Sequence, residues 1–371
     1  MRIAVPTEVK NNEFRVAITP VGVAELVHHG HEVFIQQGAG EGSGITDEEF
    51  AQQGATIIED AQAAWESGEM ILKVKEPVES EYGFLRDDLT LFAYLHLAAD
   101  RPQTEALLRA GTTAIAYETV QLPNRLLPLL YPMSEIAGNL APQVGAHAMM
   151  RPHGMAGMLM GCVSGVKQAR VVILGGGTVG QSATNIALGM GADVTVLDTD
   201  LDKLRTTFWR FNNRVHSIAS SKLTVREQVL SADLVIGTVL IPGARTPKVV
   251  TNDMVADMKP GSVLVDVAID QGGCFEDSHP TTHEDPMFQV HNSTFYCVGN
   301  MPGAVPTTST WALTNATLPY VMHLAEKGWQ QAMRDDHALA LGLNTHAGKL
   351  FVQGVGDAFD MDVTPLNDAL A

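Results

Sequence analysis

Apolar and polar positions switch repeatedly between two periods along this chain. Strand candidates, short and mostly apolar, occur at 3–5, 33–35, 55–58, 70–74, 89–93 and 113–116. Between most of them lie stretches with helical spacing, at 47–53, 60–67 and 101–108, and again where Val23, Leu26 and Val27 form a stripe. Thr19-Pro20 supplies an N-cap followed by a proline in the first helical position, where its missing N–H costs nothing, and Gly30 supplies a stop. An Ala-rich stretch at 133–150 has helical character, with Ser134 as its expected N-cap and Pro142 expected to kink it. The alternation then restarts, with strands expected at 170–174, 194–197, 233–237, 262–265 and 295–298 and a helix at 179–190. From Pro306 the pattern turns helical through Trp311, Leu313 and Ala316, and 351–371 reads as a docked tail. Strand–helix alternation of this kind predicts an α/β protein built on doubly wound parallel sheets, covered on both faces.

Composition bounds this picture. The chain has 371 residues, enough for two domains, with 45% hydrophobic and 18% charged residues. Lys+Arg number 24 against 42 Asp+Glu, a net charge of −18, which disfavours nucleic acid and anionic membrane surfaces as partners. Cys162, Cys274 and Cys297 are odd in number and lack redox or metal spacing, so a reducing cytoplasm is expected. No uninterrupted apolar stretch reaches membrane-span length.

The sharpest motif is V-V-I-L-G-G-G-T-V-G, with the G-x-G-x-x-G glycines at Gly175, Gly177 and Gly180. A strand precedes it and a helix follows. A second strand ends in Asp198, eighteen positions after Gly180. Gly175 permits the tight turn, Gly177 lets the backbone approach a pyrophosphate, and Gly180 lets helix and strand pack closely. Asp198 is placed to accept from a ribose hydroxyl and to repel a 2′-phosphate, which favours NAD over NADP.

Other polar residues stand at strand ends. Arg15 lies in N-N-E-F-R-V-A-I-T-P, Lys75 in L-K-V-K-E-P and His96 in F-A-Y-L-H-L. Ligands of open parallel sheets collect at the carboxyl ends of strands, so Arg, Lys and His at one edge fit a small anionic substrate. Read singly, Arg15 is also a solvated loop charge, Lys75 a partner of Glu76, and His96 a satisfied core histidine. In G-S-V-L-V-D-V-A-I-D-Q-G-G-C, Asp270 is expected at a strand's carboxyl end, as a turn residue or as a carboxylate near a nicotinamide. Arg15, Lys75 and the helix start at Gly177 are expected to make a positive cleft inside an acidic body.

These residues resemble the family of alanine dehydrogenases and the NAD-binding part of proton-pumping transhydrogenases. The resemblance begins with M-R-I-A-V-P-T-E-V-K-N-N-E-F-R-V-A-I-T-P and continues through K-V-K-E-P, F-A-Y-L-H-L-A-A, M-S-E-I-A-G, the glycine loop, V-D-V-A-I-D-Q-G-G and N-M-P-G-A-V-P-T-T-S-T. It spans essentially the whole chain and is close to the alanine dehydrogenases. It implies reversible oxidative deamination of L-alanine to pyruvate and ammonium with NAD as cofactor. It makes Arg15 and Lys75 substrate binders and His96 and Asp270 the acid/base groups. Ser134, Thr178, Asp198, Lys203, Ser220, Val239, Leu240, Val267, Ala268, Ile269, Asp270, Val298, Gly299, Asn300 and Met301 are implied to touch the dinucleotide with the loop glycines.

The resemblance further implies a Rossmann domain at 129–306, inserted into a discontinuous substrate domain formed by 1–128 and 307–371, and a homohexamer. Some members carry an acidic residue and a histidine linked to a metal near the C-terminal helix. Here the stretch reads H-L-A-E-K-G, with His323 and Lys327, and no metal is carried over. Neighbouring readings are a transhydrogenase-type NAD(H)-binding subunit, a catalytically silent NAD-binding protein, and an opine-type or lysine-forming dehydrogenase. The transhydrogenase subunits have a basic loop near 130–140, whereas Y-P-M-S-E-I-A-G-N-L has no arginine.

Overall fold

A computed structural model describes residues 1–151, 156–239 and 246–370. The chain divides into two compact units, Met1–Met133 with Val305–Ala371, and Ser134–Ala304. In chain order the first unit contains β1 (Arg2–Val5), β2 (Glu32–Gln36), β3 (Thr56–Ile58), β4 (Met70–Leu72), β5 (Thr90–Ala93) and β6 (Thr113–Ala116). The second contains β7 (Arg170–Leu174), β8 (Asp193–Asp198), β9 (His216–Ala219), β10 (Leu234–Gly237), β11 (Val263–Asp266), β12 (Met287–Val290) and β13 (Ser293–Tyr296). The first unit ends with β14 (Leu343–His346) and β15 (Lys349–Leu350).

The sheet of the first unit has the order β15-β14-β6-β5-β4-β1-β2-β3. From β6 to β3 every pairing is parallel. The second sheet has the order β12-β13-β11-β10-β7-β8-β9, parallel from β13 to β9. Neither sheet is wholly parallel. β12 pairs antiparallel with β13, and β14 pairs antiparallel with β6 and β15. The β12–β13 and β14–β15 pairs are short reversals, which cannot produce a parallel neighbour since that needs a crossover, whereas β14 reaches β6 only after the chain has passed through the second unit.

Burial explains the continuous apolar runs. In β7, Val171 and Ile173 join one buried cluster, while Val172 and Leu174 join another. Successive residues point to opposite faces, and both faces are covered by helices, so the run has no polar alternation. The intervening helices are capped as their sequences dictate. Thr46 and Glu49 form a reciprocal capping box for Asp47–Gln52, Asp60 caps Ala61–Ser67, and Asp100 caps Arg101–Ala110.

Two local expectations are corrected. The helix over the Ala-rich stretch is Tyr131–Ala148, so Ser134 lies inside its first turn and is not the N-cap. Pro142 sits within that helix, which continues through it. The apolar run at 70–74 is a strand only to Leu72, and Lys73 beyond it is a buried charge. The tail docks on its own unit, through the bridge Leu350–Val363 and the bond from Arg334 Nε to the Leu370 carbonyl at 2.8 Å.

Candidate active site

In the first unit the polar residues follow the carboxyl ends of four adjacent parallel strands. Glu8 and Lys10 follow β1, Lys73, Lys75 and Glu76 follow β4, Tyr94 and His96 follow β5, and Glu118 follows β6. Arg15 lies in the long loop after β1 and is 2% exposed, so it is no solvated loop charge. Its Nε donates to Glu13 Oε1 at 2.6 Å, its Nη2 to Glu13 Oε2 at 2.5 Å and its Nη1 to Met133 Sδ at 3.0 Å. The two-bond fork to Glu13 locks the guanidinium plane. Burial pushes Glu13's carboxyl up, but the bonds and charge of Arg15 outweigh it and hold the carboxyl below its usual range.

Lys73, absent from the sequence-based site, is fully buried. Its Nζ donates to Glu81 Oε1 at 2.8 Å and lies 3.3 Å from Glu8 Oε2. Burial lowers its pKa, yet the two carboxylates outweigh burial and raise it, so the ammonium persists. The same Glu8 carboxylate accepts the N–H of Val74 at 2.6 Å and of Lys75 at 3.3 Å, which fixes the main chain under Lys75.

Lys75 itself is half-buried, and its charge acts on both Glu13 and Glu76. His96 is exposed, not a core histidine. Its main chain is left-handed, at φ 50° and ψ 37°, and its N–H donates to Glu118 Oε1 at 2.6 Å. Lys10, Arg15 and Lys73 therefore each arrive with a carboxylate. Arg15 and Lys73 are thus paired charges, and attraction for an anion at Arg15 depends on its fixed N–H donors and not on net charge. Glu8 and Glu13 escaped sequence reasoning, and Glu76 entered it only as a partner of Lys75, although Glu13 precedes Arg15 by two positions, a spacing that places extended-chain side chains on one side.

In the second unit the residues expected to touch a dinucleotide, Ser134 aside, also stand past carboxyl ends, of β7, β8, β9, β10, β11 and β13. Gly175 has φ 109°, open to glycine and strained for other residues. A Cβ on Gly177 would meet nothing within 4 Å, so the backbone is open at the helix start Thr178–Gly189. A ligand backbone approach needs this open space, and the free helix N–H groups suit a phosphate. Asp198 ends β8, and its Oδ2 accepts the Gly176 N–H at 2.7 Å while Lys203 Nζ lies 3.6 Å away. Its Oδ1 accepts from Asp200 N at 2.8 Å, leaving lone pairs on both oxygens for a further donor.

Ser220 N donates to the Asp198 carbonyl at 2.9 Å, and Val239 packs against the core beside Thr238, which caps the Leu174 carbonyl. Leu240 lies outside the described residues. Ser134 sits in the helix Tyr131–Ala148, which packs so tightly on the loop helix that a Cβ at Gly138 would stand 2.3 Å from the Val179 carbonyl oxygen.

Asp270 is corrected in place. The last residue of β11 is Asp266, whereas Asp270 lies in the following turn Ile269–Gln271 and is exposed. Its Oδ2 accepts the Asn300 N–H at 3.2 Å, which ties the segment of Val267, Ala268 and Ile269 to that of Val298, Gly299, Asn300 and Met301. Asp266 is buried and accepts from the N–H groups of Ala268, Cys274 and Phe275 and from Ser278 Oγ, so it anchors the turn that carries Asp270.

The fold and the glycine loop together define an α/β protein with a Rossmann-type dinucleotide-binding unit. Residues 4–137 match the family model described as alanine dehydrogenase/PNT, N-terminal domain, and residues 141–353 match the corresponding C-terminal domain. The chain belongs to the alanine dehydrogenase/PNT family. It is 58% identical over 371 residues, all of both chains, to an alanine dehydrogenase of Mycolicibacterium smegmatis. It is 53% identical over 362 residues, 98% of each chain, to one of Halomonas elongata. A solved L-alanine dehydrogenase matches with a TM-score of 0.94 and 50% identity, covering 97% of this chain and 99% of that one. A transhydrogenase from Sinorhizobium meliloti matches at 24% identity and a TM-score of 0.80, over 94% of this chain and 98% of that one, which is a likeness of fold.

Proposed function

We propose that this protein is an L-alanine dehydrogenase, which oxidatively deaminates L-alanine to pyruvate and ammonium, reversibly, with NAD. The observation that carries the reading is the grouping of Arg15, Lys75 and His96 past the strand ends of the first unit. That grouping stands in a chain that matches alanine dehydrogenases from end to end.

NAD, when bound, supplies the acceptor for the hydride of the substrate α-carbon. The open backbone at Gly177, the loop glycines Gly175 and Gly180, Thr178 and the Asp198 carboxylate fit a dinucleotide. Ser134, Lys203, Ser220, Val239, Leu240, Val267, Ala268, Ile269, Val298, Gly299, Asn300 and Met301 complete the cofactor set. Arg15, its plane locked by Glu13, and Lys75 bind the substrate carboxylate and the oxygen of pyruvate. His96 takes the proton from the water that attacks the α-carbon and returns a proton to the leaving amine. Asp270, exposed and steadied by Asn300, assists these proton steps in the second unit.

The protein acts in the cytoplasm as a homohexamer. Free Cys162, Cys274 and Cys297 support a reducing compartment, and among the described residues no helix is long and apolar enough to cross a membrane. The test is NADH absorbance with purified protein, L-alanine and NAD, with D-alanine, L-serine, L-lysine and NADP as controls. NADH formation dependent on L-alanine is expected, and its absence overturns the reading.

A further inference from the structure

We propose that Glu76 is the positioning residue for His96, holding the imidazole through Nδ1 and leaving Nε2 as the atom that exchanges protons with substrate. The proposal rests on the reading of His96 as an acid/base group.

Strand register brings the two residues together. β4 and β5 are parallel neighbours, paired from Met70–Thr90 to Leu72–Phe92. Glu76 stands four residues beyond the end of β4 and His96 three beyond the end of β5, so the two turns leave the sheet side by side. The Glu76 side chain is 11% exposed and that of His96 43%. Glu76 Oε1 accepts from Lys10 Nζ. Glu76 Oε2 is buried with no hydrogen-bond partner, and His96 Nδ1 lies 3.6 Å from it. A buried carboxylate oxygen without a donor calls for an explanation. A small rotation of the exposed ring closes that gap, and catalytic hydrogen bonds commonly tighten when substrate is in place.

The main chain of His96 is fixed separately. Its left-handed conformation is one that L-residues adopt at a cost, and the Glu118 carboxylate sustains it by accepting the N–H groups of Leu95 and His96. Glu118 therefore sets where the histidine stands, and Glu76 sets which nitrogen it offers. A carboxylate on one ring nitrogen selects the tautomer and stabilises the imidazolium. Burial pushes the Glu76 carboxyl up, but His96, Lys75 and Lys10 outweigh it and hold the group well below the usual carboxylate range. Glu76 is thus anionic wherever a histidine titrates. The other groups facing the ring are Glu118, which bonds the main chain, and Tyr94, whose ring centroid is 5.9 Å away and whose buried phenol is pushed up and stays neutral.

Two measurements test this. Nitrogen-15 NMR of histidine-labelled wild-type protein is expected to show neutral His96 protonated at Nδ1. A wild-type His96 protonated at Nε2 overturns the proposal, whatever the substrate proves to be. In kinetics, Glu76→Gln is expected to lower kcat about ten- to a hundredfold, the range for loss of an outer-shell partner, with KM for L-alanine changed less than about threefold. The acid limb of the kcat profile is expected to move about one unit to lower pH, because the imidazolium loses its counter-charge. In a His96→Ala background the same substitution is expected to cost nothing further. An unchanged acid limb, or full additivity in the double variant, overturns the proposal. Wild-type protein inert toward L-alanine and NAD overturns the functional reading instead.

Discussion

A Cβ on Gly180 would stand 1.9 Å from the carbonyl oxygen of Gly175. The first turn of the loop helix and the end of β7 are therefore in contact through backbone alone. Gly180→Ala must push the helix off the strand, and overpacking of this kind costs about 1–3 kcal/mol. The expected outcome is a lowered melting temperature and loss of NADH binding by fluorescence titration. Retention of wild-type affinity would contradict the loop's assignment.

Asp198 accepts the Gly176 N–H, so it shapes the loop in which the proposed NAD would lie. Asp198→Asn keeps the size and removes the charge. A hydrogen bond to a charged group is worth about 1.5–3 kcal/mol, so NADH affinity is expected to fall roughly ten- to a hundredfold. Discrimination against NADPH is expected to narrow in the same titration.

The Arg15–Glu13 pair is buried on both sides, with side-chain exposures of 1% and 0%. Glu13→Gln leaves a buried cation short of its counter-charge, and breaking such a pair costs about 3–5 kcal/mol. The pH dependence has a definite sign. Glu13's folded pKa lies below the ordinary glutamate value of 4.5, so its stabilising contribution is fully present above that value and is lost as pH falls through the folded pKa. Urea melts of wild type and Glu13→Gln are expected to differ most at neutral pH and to converge below pH 4.5.

Asp266 anchors three backbone N–H groups and the Ser278 hydroxyl. Asp266→Ala removes the acceptor of four buried donors, at about 1–3 kcal/mol for each one left unsatisfied. A large drop in urea midpoint is expected, together with loss of turnover, since Asp270 rides on the same turn. Asp270→Asn, by contrast, is expected to reduce turnover with little change in midpoint, because that side chain is exposed.

His96→Ala is expected to lower kcat about a hundredfold or more, the scale of general acid–base catalysis, and to abolish the acid limb of its pH profile. Steady-state NADH formation between pH 6 and 10 checks both, and an unchanged profile rules out the histidine role.

The strand–turn–helix at Gly175 to Gly180 was legible because its causes are local. An apolar run, a sterically unique glycine and a helical period lie within one short window, and each acts on its neighbours in sequence. The same holds for the capped helices after Thr46, Asp60 and Asp100. Elements with weak local signals were missed, among them β9, β12, β14 and the helices Leu201–Arg210 and Lys222–Ser231. In β9, His216, Ser217, Ile218 and Ala219 form no buried run, since an edge strand has only one paired side.

By itself the sequence determined the two parallel-dominated sheets, the dinucleotide loop and the residue types at the strand ends, since burial periodicity and glycine sterics are short-range. Only the tertiary structure decided how the charges pair. Lys10 meets Glu76 across 66 residues, Lys73 is buried between Glu8 and Glu81, and Asp266 takes the strand end where Asp270 was expected. Ion pairing depends on distance in space, and neighbouring strands set that distance after long crossovers. No pattern along the chain records it.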